Sequence, residues 1–483
     1  MLPGDLLASL PSGRAVIGDG AESSDGAAFS RRVADLVTAL RARRFPHAPV
    51  ALLADNSPHW VSLDLAAALC GVTLVPLPGF FTPQQRAHAI RESGASALCC
   101  ADAALADALG FGRRAGDTLF EADAAPQGPV LAPGSKLTFT SGTTGEPKGV
   151  CLGAEQQWRV ASAVARELSA IGVQRHLCLL PLSVLLENVG GVYAGLLCGA
   201  TVICPPLAEV GLSGSSGFDA AVCVAAIARH RPHSLILLPQ MLQSILPLLQ
   251  PHDPRLASLR FVAVGGARTP PALLDAAAAM GIPVFEGYGL TECGSVVALN
   301  TPSANRRGSV GRALAHRSLR ISDAGEIEVG GGAFGHYLGE QPLADEWIST
   351  GDLGHLDADG YLFIDGRRKN VLITGFGRNV SPEWPESLLC GHPAVMQALV
   401  TGDGRPYLVA LLAPSGPDVG DDDLARAVAA ANAALPDYAR IGAFAVLPEP
   451  LSPANGLATP NGRPRRALIA ERHAALVNSL YRE

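Results

Sequence analysis

Residues 138–150 read TFTSGTTGEPKGV and set small hydroxyl residues and glycines between an apolar run and a lysine. Backbone N–H groups in such a loop can converge on phosphate oxygens, because no bulky side chain blocks the approach. Ser141, Thr143 and Thr144 add hydroxyl donors, Gly142 and Gly145 keep the path open, and Lys148 adds a mobile positive charge. The spacing is not that of a Walker A loop, G-x-x-x-x-G-K-[ST]. Counting from Gly142, the second glycine comes too early, and Lys148 is followed by Gly149 rather than Ser or Thr. A flexible surface linker is the plain alternative. Against it, the loop leaves directly from KLTFT (136–140), whose pattern predicts a strand.

Outward from this loop the chain alternates strand and helix. VALLAD (50–55), VTLVPL (72–77) and SALCC (96–100) are short apolar runs suited to buried strands. Between them, Ser57 before Pro58 predicts one helix start, and Thr82, Pro83 and Gln85 predict a capping box at another. This is β-α-β-α-β, a parallel sheet covered by helices. After a Gly/Pro/Ala-rich connection near 110–135, further strands are expected at LCLLPL (177–182), TVICP (201–205), SLILL (234–238) and FVAVGG (261–266). The helical stripe of EQQWRVASAVARELSAIG (155–172) predicts core, and GLSGSSG (211–217) predicts a solvated loop. From about Arg306, short strands and glycine turns predict a small β-subdomain. The expected fold class is α/β. A large N-terminal domain, 1–366, carries mostly parallel sheets and the β-subdomain; a small mobile α+β domain, 367–483, contains helices such as DDLARAVAAANAAL (422–435).

Composition narrows the function classes. Hydrophobic residues form 48% and charged residues 17% of 483, which points to a globular chain with room for several cores. A net charge of −7 offers no broad basic face for nucleic acid. The ten cysteines show no CxxC pair, which disfavours a zinc site or a disulfide framework and predicts reduced thiols in a cytoplasmic protein. The N-terminus lacks the basic region of a secretory signal. The most apolar stretch, 178–200, is interrupted by Glu187 and Asn188 and predicts buried core, not a membrane span.

Four more stretches carry chemistry: EGYGLTE (286–292), preceded by VGGARTP (264–270); STGDLGHLDADGYL (349–362); DGRRKNVLITGFGRNVSPEWPE (365–386); and LATPNGRPRRALI (457–469). In this order, and with the first loop, they resemble the adenylate-forming superfamily: acyl-CoA synthetases, luciferase-like enzymes and the adenylation domains of peptide synthetases. Phe139–Val150 matches the superfamily's [YF]-T-S-G-[ST]-T-G-x-P-K-G-V at every fixed position. The resemblance covers most of the chain, from about Val50. It implies a ligase that uses Mg·ATP to activate a carboxylic acid as acyl-AMP, then passes the acyl group to a thiol of CoA or of a carrier-protein phosphopantetheine.

The resemblance also implies roles. Thr140, Ser141, Gly142, Thr143, Thr144, Gly145 and Lys148 would hold the β- and γ-phosphates. Gly266, Ala267 and Arg268 would line adenine, as would Glu286, Gly287, Tyr288 and Gly289, with the Tyr288 ring stacking nearby. Thr291 would meet the α-phosphate and Glu292 would hold Mg²⁺, which suits a carboxylate beside a triphosphate. Asp352 would accept both ribose hydroxyls, with Arg367 beside it; two carboxylate oxygens match a vicinal diol. Lys369 falls at the hinge, and Gly375 and Gly377 at the pantetheine channel. Val184, Cys293 and Gly294 are the candidate acyl-pocket residues.

Two departures stand out. The superfamily's P-x-T-x-x-G-K ends here in Arg463, so Arg463 does the lysine's work, or Arg465 or Arg466 takes over, or adenylation is slow. A basic solvent-exposed tail is the simpler alternative. At LPLSVLLENVGG, Val184 stands where relatives have His or an aromatic, and no aspartate is present to pair an α-ammonium. An unpaired ammonium there would cost several kcal/mol, which disfavours α-amino acids. Apolar residues at 184–189 and 296–299 favour a fatty or aryl acid. The rival readings are a nucleotide-binding regulator that has lost catalysis, adenylation of an unusual oxyanion, and a luciferase-like oxidase. Gly330, Gly332 and Gly335 fit G-x-G-x-x-G, but HYLGEQPL is a poor helix, so β-subdomain turns explain them better than a dinucleotide site.

Overall fold

A computed structural model describes residues 3–481 apart from 125–127, 130, 141–146, 215–216, 333, 342–345, 375–377 and 460–461. Five phosphate-loop residues, Ser141, Gly142, Thr143, Thr144 and Gly145, therefore lie outside the described residues, as do Gly375 and Gly377. The helix starts follow the sequence: Ser57 accepts from the Trp60 N–H to cap Pro58–Cys70, and Thr82 and Gln85 close a reciprocal capping box on Pro83–Ser93.

Among the described residues, two large sheets frame the main core. The first runs His336–Tyr337, Lys148–Leu152, Lys136–Thr140, Leu74–Pro76, Val50–Leu52, Ala97–Cys99, Leu119–Glu121, Arg113–Arg114, with parallel pairing at its centre. The second runs Arg312–Ala313, Ser295–Leu299, Val284–Leu290, Phe261–Val264, Ser234–Leu237, Arg175–Leu177, Thr201–Ile203, Ala15–Gly18, Ser23–Asp25, again parallel through the middle. Val150 and Leu152 of one sheet, Val202 of the other and Cys204 just beyond its strand share a core with Trp60, Leu65, Trp158 and Val164. The helices Pro58–Cys70 and Ala154–Ile171 are thus packed between the sheets.

Two expectations change. The strand expected at 177–182 is Arg175–Leu177, because Pro181 has no N–H for the ladder and Leu179 and Leu180 give theirs to Glu187. GLSGSSG is not simply a loop: Leu212–Ser213 pairs antiparallel with Gly217–Phe218. Ala15–Gly18 and Ser23–Asp25, ahead of the stretch that carries the resemblance, complete one edge of the second sheet.

The β-subdomain is a four-stranded sheet, Ser318–Ile321, Glu326–Gly330, Trp347–Leu356, Leu362–Arg367. Further along the chain, Val395–Thr401, Leu408–Pro414 and Ile441–Val446 form a three-stranded sheet. That sheet has its own core, with Leu389, Val395, Leu408 and Leu424. The helix Asp421–Ala433 covers it, as its sequence predicts. No helix among the described residues is long and apolar enough to cross a membrane.

Candidate active site

The cleft is assembled from strand ends. Val284–Leu290 ends in a single 3-10 turn, Thr291–Cys293, and returns as Ser295–Leu299. The return is tight: Gly294 has φ +76° and Ser295 φ +107°, and a Cβ on Gly289 would collide with the Ser295 carbonyl. Thr291 and Glu292 are held half-buried at this turn. The phosphate loop is closed at its base by the pairing of Thr140 with Lys148.

Tyr337, which sequence reasoning passed over, connects these two parts. It lies on a two-residue strand pairing Tyr337 with Val150. Its hydroxyl donates to Glu292 Oε1 at 2.6 Å, and Lys148 Nζ sits 5.5 Å from its ring centroid. The Glu292 backbone is pinned as well: its carbonyl accepts from Gly335 N at 2.7 Å and Gln156 Nε2 at 2.8 Å. Gly335 is therefore glycine for close approach, since a Cβ there would lie 2.7 Å from Leu152 Cδ2. The G-x-G-x-x-G run is a packing feature: its strand leads into another strand, not a helix.

Asp352 and Arg367 are cross-strand neighbours, with Arg367 Nε 2.5 Å from Asp352 Oδ1. The Tyr288 hydroxyl donates to Asp352 Oδ2 at 2.6 Å. Burial pushes the Asp352 carboxyl up, and Arg367, the Tyr288 hydrogen bond and Arg463 oppose this. Gly266, Ala267 and Arg268 form an exposed loop after Phe261–Val264, and Arg268 Nη1 donates to the Asp365 carbonyl at 3.2 Å. Glu286 is pushed up to about 7 by burial, with Thr269 and Arg268 pulling it down. Gly287 faces Leu299, where a Cβ would be 3.0 Å from Cδ1.

The three candidate arginines separate clearly. Arg463 Nη2 donates to the Gly266 carbonyl at 3.0 Å, so the C-terminal segment reaches into the cleft. Desolvation and Arg367 lower the Arg463 pKa, against Asp352, Glu292 and Tyr288. Thr459 braces its turn by accepting from Gly462 N and, through Oγ1, from Arg463 N. Arg466 instead pairs with Glu386 at 2.5 Å, and Arg465 Nε is buried with no hydrogen-bond partner among the described residues. Lys369 is exposed in the turn Arg368–Asn370, its pKa lowered by burial and by Arg367 and Arg463.

The acyl-pocket candidates sit in different surroundings. Val184 is half-buried before the short helix Leu185–Glu187. Gly294 abuts Gln156 and Val160. Cys293 is fully buried with Val297 and Val329, its thiol pushed up to about 12 by burial, and so presents no surface to a ligand. Glu187 and Asn188, by contrast, anchor buried polar networks. Glu187 Oε1 meets His176 Nε2 at 2.8 Å. Asn188 Nδ2 and Lys136 Nζ both donate to Asp64 Oδ2, at 2.8 and 2.9 Å.

The residues fit a magnesium ion. Glu292 offers a hard carboxylate whose Oε1 is held by Tyr337, and Mg²⁺ takes one or two protein carboxylates and fills its shell with water and phosphate oxygens.

An AMP-binding enzyme profile matches residues 8–336, and the AMP-binding enzyme C-terminal domain matches 369–483. The chain belongs to the AMP-binding enzymes. It is 31% identical over 444 residues to the indoleacetate–CoA ligase of Aromatoleum aromaticum, covering 82% of this chain and 84% of that one. It is 30% identical to the 2-succinylbenzoate–CoA ligase of Bacillus pumilus, covering 73% and 74%. A 34% match to the long-chain-fatty-acid–CoA ligase FadD15 of Mycobacterium bovis spans 42% of this chain but only 38% of FadD15. Among solved structures, the anthranilate CoA ligase AuaEII in complex with anthranoyl-AMP superposes with TM-score 0.81 at 22% identity, covering 99% and 98%, which shows the fold. The o-succinylbenzoate CoA synthetase of Bacillus subtilis gives 0.76 at 25%, covering 97% of each chain. This AMP-binding enzyme is an acid–thiol ligase of the adenylate-forming superfamily.

Proposed function

We propose that this enzyme joins a fatty or aryl carboxylic acid, not an α-amino acid, to the thiol of CoA through an acyl-AMP. The observation that carries this reading is Arg463 reaching the Gly266 carbonyl across the cleft, in the field of Asp352, Glu292 and Tyr288. A cation delivered there by the C-terminal segment faces the place where α-phosphate charge develops. A carboxylate oxygen attacks the α-phosphorus, and the bond to pyrophosphate breaks. Arg463 and Thr291 then steady the α-phosphate oxygens, Asp352 with Arg367 fixes the ribose, and Lys148 meets the outer phosphates. Glu292 would hold magnesium, which would supply charge neutralisation there. After pyrophosphate leaves, the C-terminal unit turns about Lys369; the thiol sulfur attacks the acyl carbonyl, and AMP departs with the mixed-anhydride oxygen. Positioning and charge do most of the work.

The test is to incubate the protein with Mg·ATP and separate pools of fatty, aryl and α-amino acids, reading adenylate mass. Adenylates from fatty or aryl acids, and thioester on adding CoA, are expected. Adenylates from amino acids alone would overturn the substrate class. Thioester only on a phosphopantetheinylated carrier protein would overturn the acceptor, and ATP binding without pyrophosphate release would favour the regulator.

A further inference from the structure

We infer that Tyr337 is a positioning residue: its hydroxyl fixes the rotamer of Glu292 for magnesium, and its ring fixes Lys148 for the outer phosphates. The inference rests on the reading of Glu292 as the magnesium carboxylate. Four observations carry it. The hydroxyl lies 2.6 Å from Glu292 Oε1 and donates to it, so one carboxylate oxygen is held, and among the described residues no hydrogen bond is made to the other. The Lys148 ammonium lies 5.5 Å from the same ring's centroid. The tyrosine itself has little freedom, since its strand is paired to the one carrying Lys148, with Tyr337 opposite Val150. The neighbouring Gly335 N–H grips the Glu292 carbonyl, so the same short segment holds both the side chain and the backbone of Glu292. One side chain thus ties the cation site to the phosphate loop. A hydrogen bond from outside the coordination sphere orients a ligating carboxylate, and losing one typically costs about 10- to 100-fold in metal affinity.

The two functions of the side chain can be separated. Tyr337→Phe keeps the ring beside Lys148 and removes only the hydroxyl; Tyr337→Leu removes both. Calorimetric titration of ATP at stepped Mg²⁺ concentrations, with no acid present and hence no turnover, reads binding alone. Tyr337→Phe is expected to raise the Mg²⁺ concentration for half-maximal ATP affinity about tenfold, with metal-free ATP affinity and melting temperature unchanged. Tyr337→Leu is expected to weaken metal-free ATP binding as well. Unchanged Mg²⁺ dependence in Tyr337→Phe would overturn the hydroxyl's role, and unchanged metal-free affinity in a folded Tyr337→Leu would overturn the ring's. A shift that appears only together with a fallen melting temperature would mark Tyr337 as structural. Should the unsubstituted protein bind ATP with no response to Mg²⁺, the reading of Glu292 fails before this inference is reached.

Discussion

The cleft and the core beneath it both hold facing charges, and they use them differently. In the cleft, Asp352, Arg367, Arg463 and the pair Tyr288 and Glu292 come from four separate segments, and Arg463 retains solvent access. In the core, Asp64, Lys136, Asn188 and Tyr193 bond to one another, with Asp64 Oδ2 as the shared acceptor. Asp64 Oδ2 accepts from Lys136 at 2.9 Å, Asn188 at 2.8 Å and Tyr193 at 2.7 Å, and the Lys136 and Asp64 side chains are 3% and 2% exposed. A pair buried this deeply is closed to solvent and holds its counter-charge in place, so its worth lies in the fold. A cleft group that still faces solvent can exchange its partner for a phosphate or a ribose.

Substitutions should divide accordingly. Lys136→Met leaves the Asp64 carboxylate buried without its counter-charge, and should cost about 3–5 kcal/mol in denaturant unfolding. A loss under about 1 kcal/mol would dissolve the distinction. Arg463→Ala should lower adenylate formation about 10²- to 10³-fold while unfolding stays within about 0.5 kcal/mol. A large stability loss would move Arg463 into the structural class. Glu286 lies between the classes. Its folded pKa of about 7 exceeds the ordinary carboxylate value of 4.5, so the folded state binds the proton more tightly. Its contribution is complete below about pH 4.5 and is lost as pH rises through about 7. Glu286→Gln should flatten that part of the stability–pH curve, with its stability relative to the unsubstituted protein rising as pH goes from about 4.5 to 7. An unaltered slope would contradict the burial argument.

The same division governs what the sequence disclosed. Cleft residues sit in contiguous motifs because each strand end must present several backbone and side-chain groups at once, so EGYGLTE and STGD were legible. The capping residues Ser57 and Thr82 were legible because a cap is a local interaction. Tyr337 was not: its meaning depends on Val150 and Glu292, 187 and 45 positions away. Lys136 and Asp64 are 72 positions apart, and neither forms a motif. A weaker signal was present, since a lysine opening the apolar strand KLTFT and the Glu187–Asn188 interruption of an apolar run each break pattern. Out-of-pattern polar residues in a core demand partners, although the sequence does not say which. Cys293 misled for the converse reason: adjacency to Glu292 along the chain put it in the turn, but its side chain packs on the far side with Val329.

The central claim is that these separated segments grip one Mg·ATP so that its α-phosphorus can be displaced by a carboxylate. Acid-dependent exchange of labelled pyrophosphate into ATP tests this most directly, because it reads the first half-reaction in both directions without any thiol. Exchange is expected with a fatty or aryl acid, absent without acid, and reduced at least a hundredfold by Arg463→Ala. Folded protein that binds ATP yet shows no exchange with any acid, or exchange that Arg463→Ala leaves intact, would contradict the account.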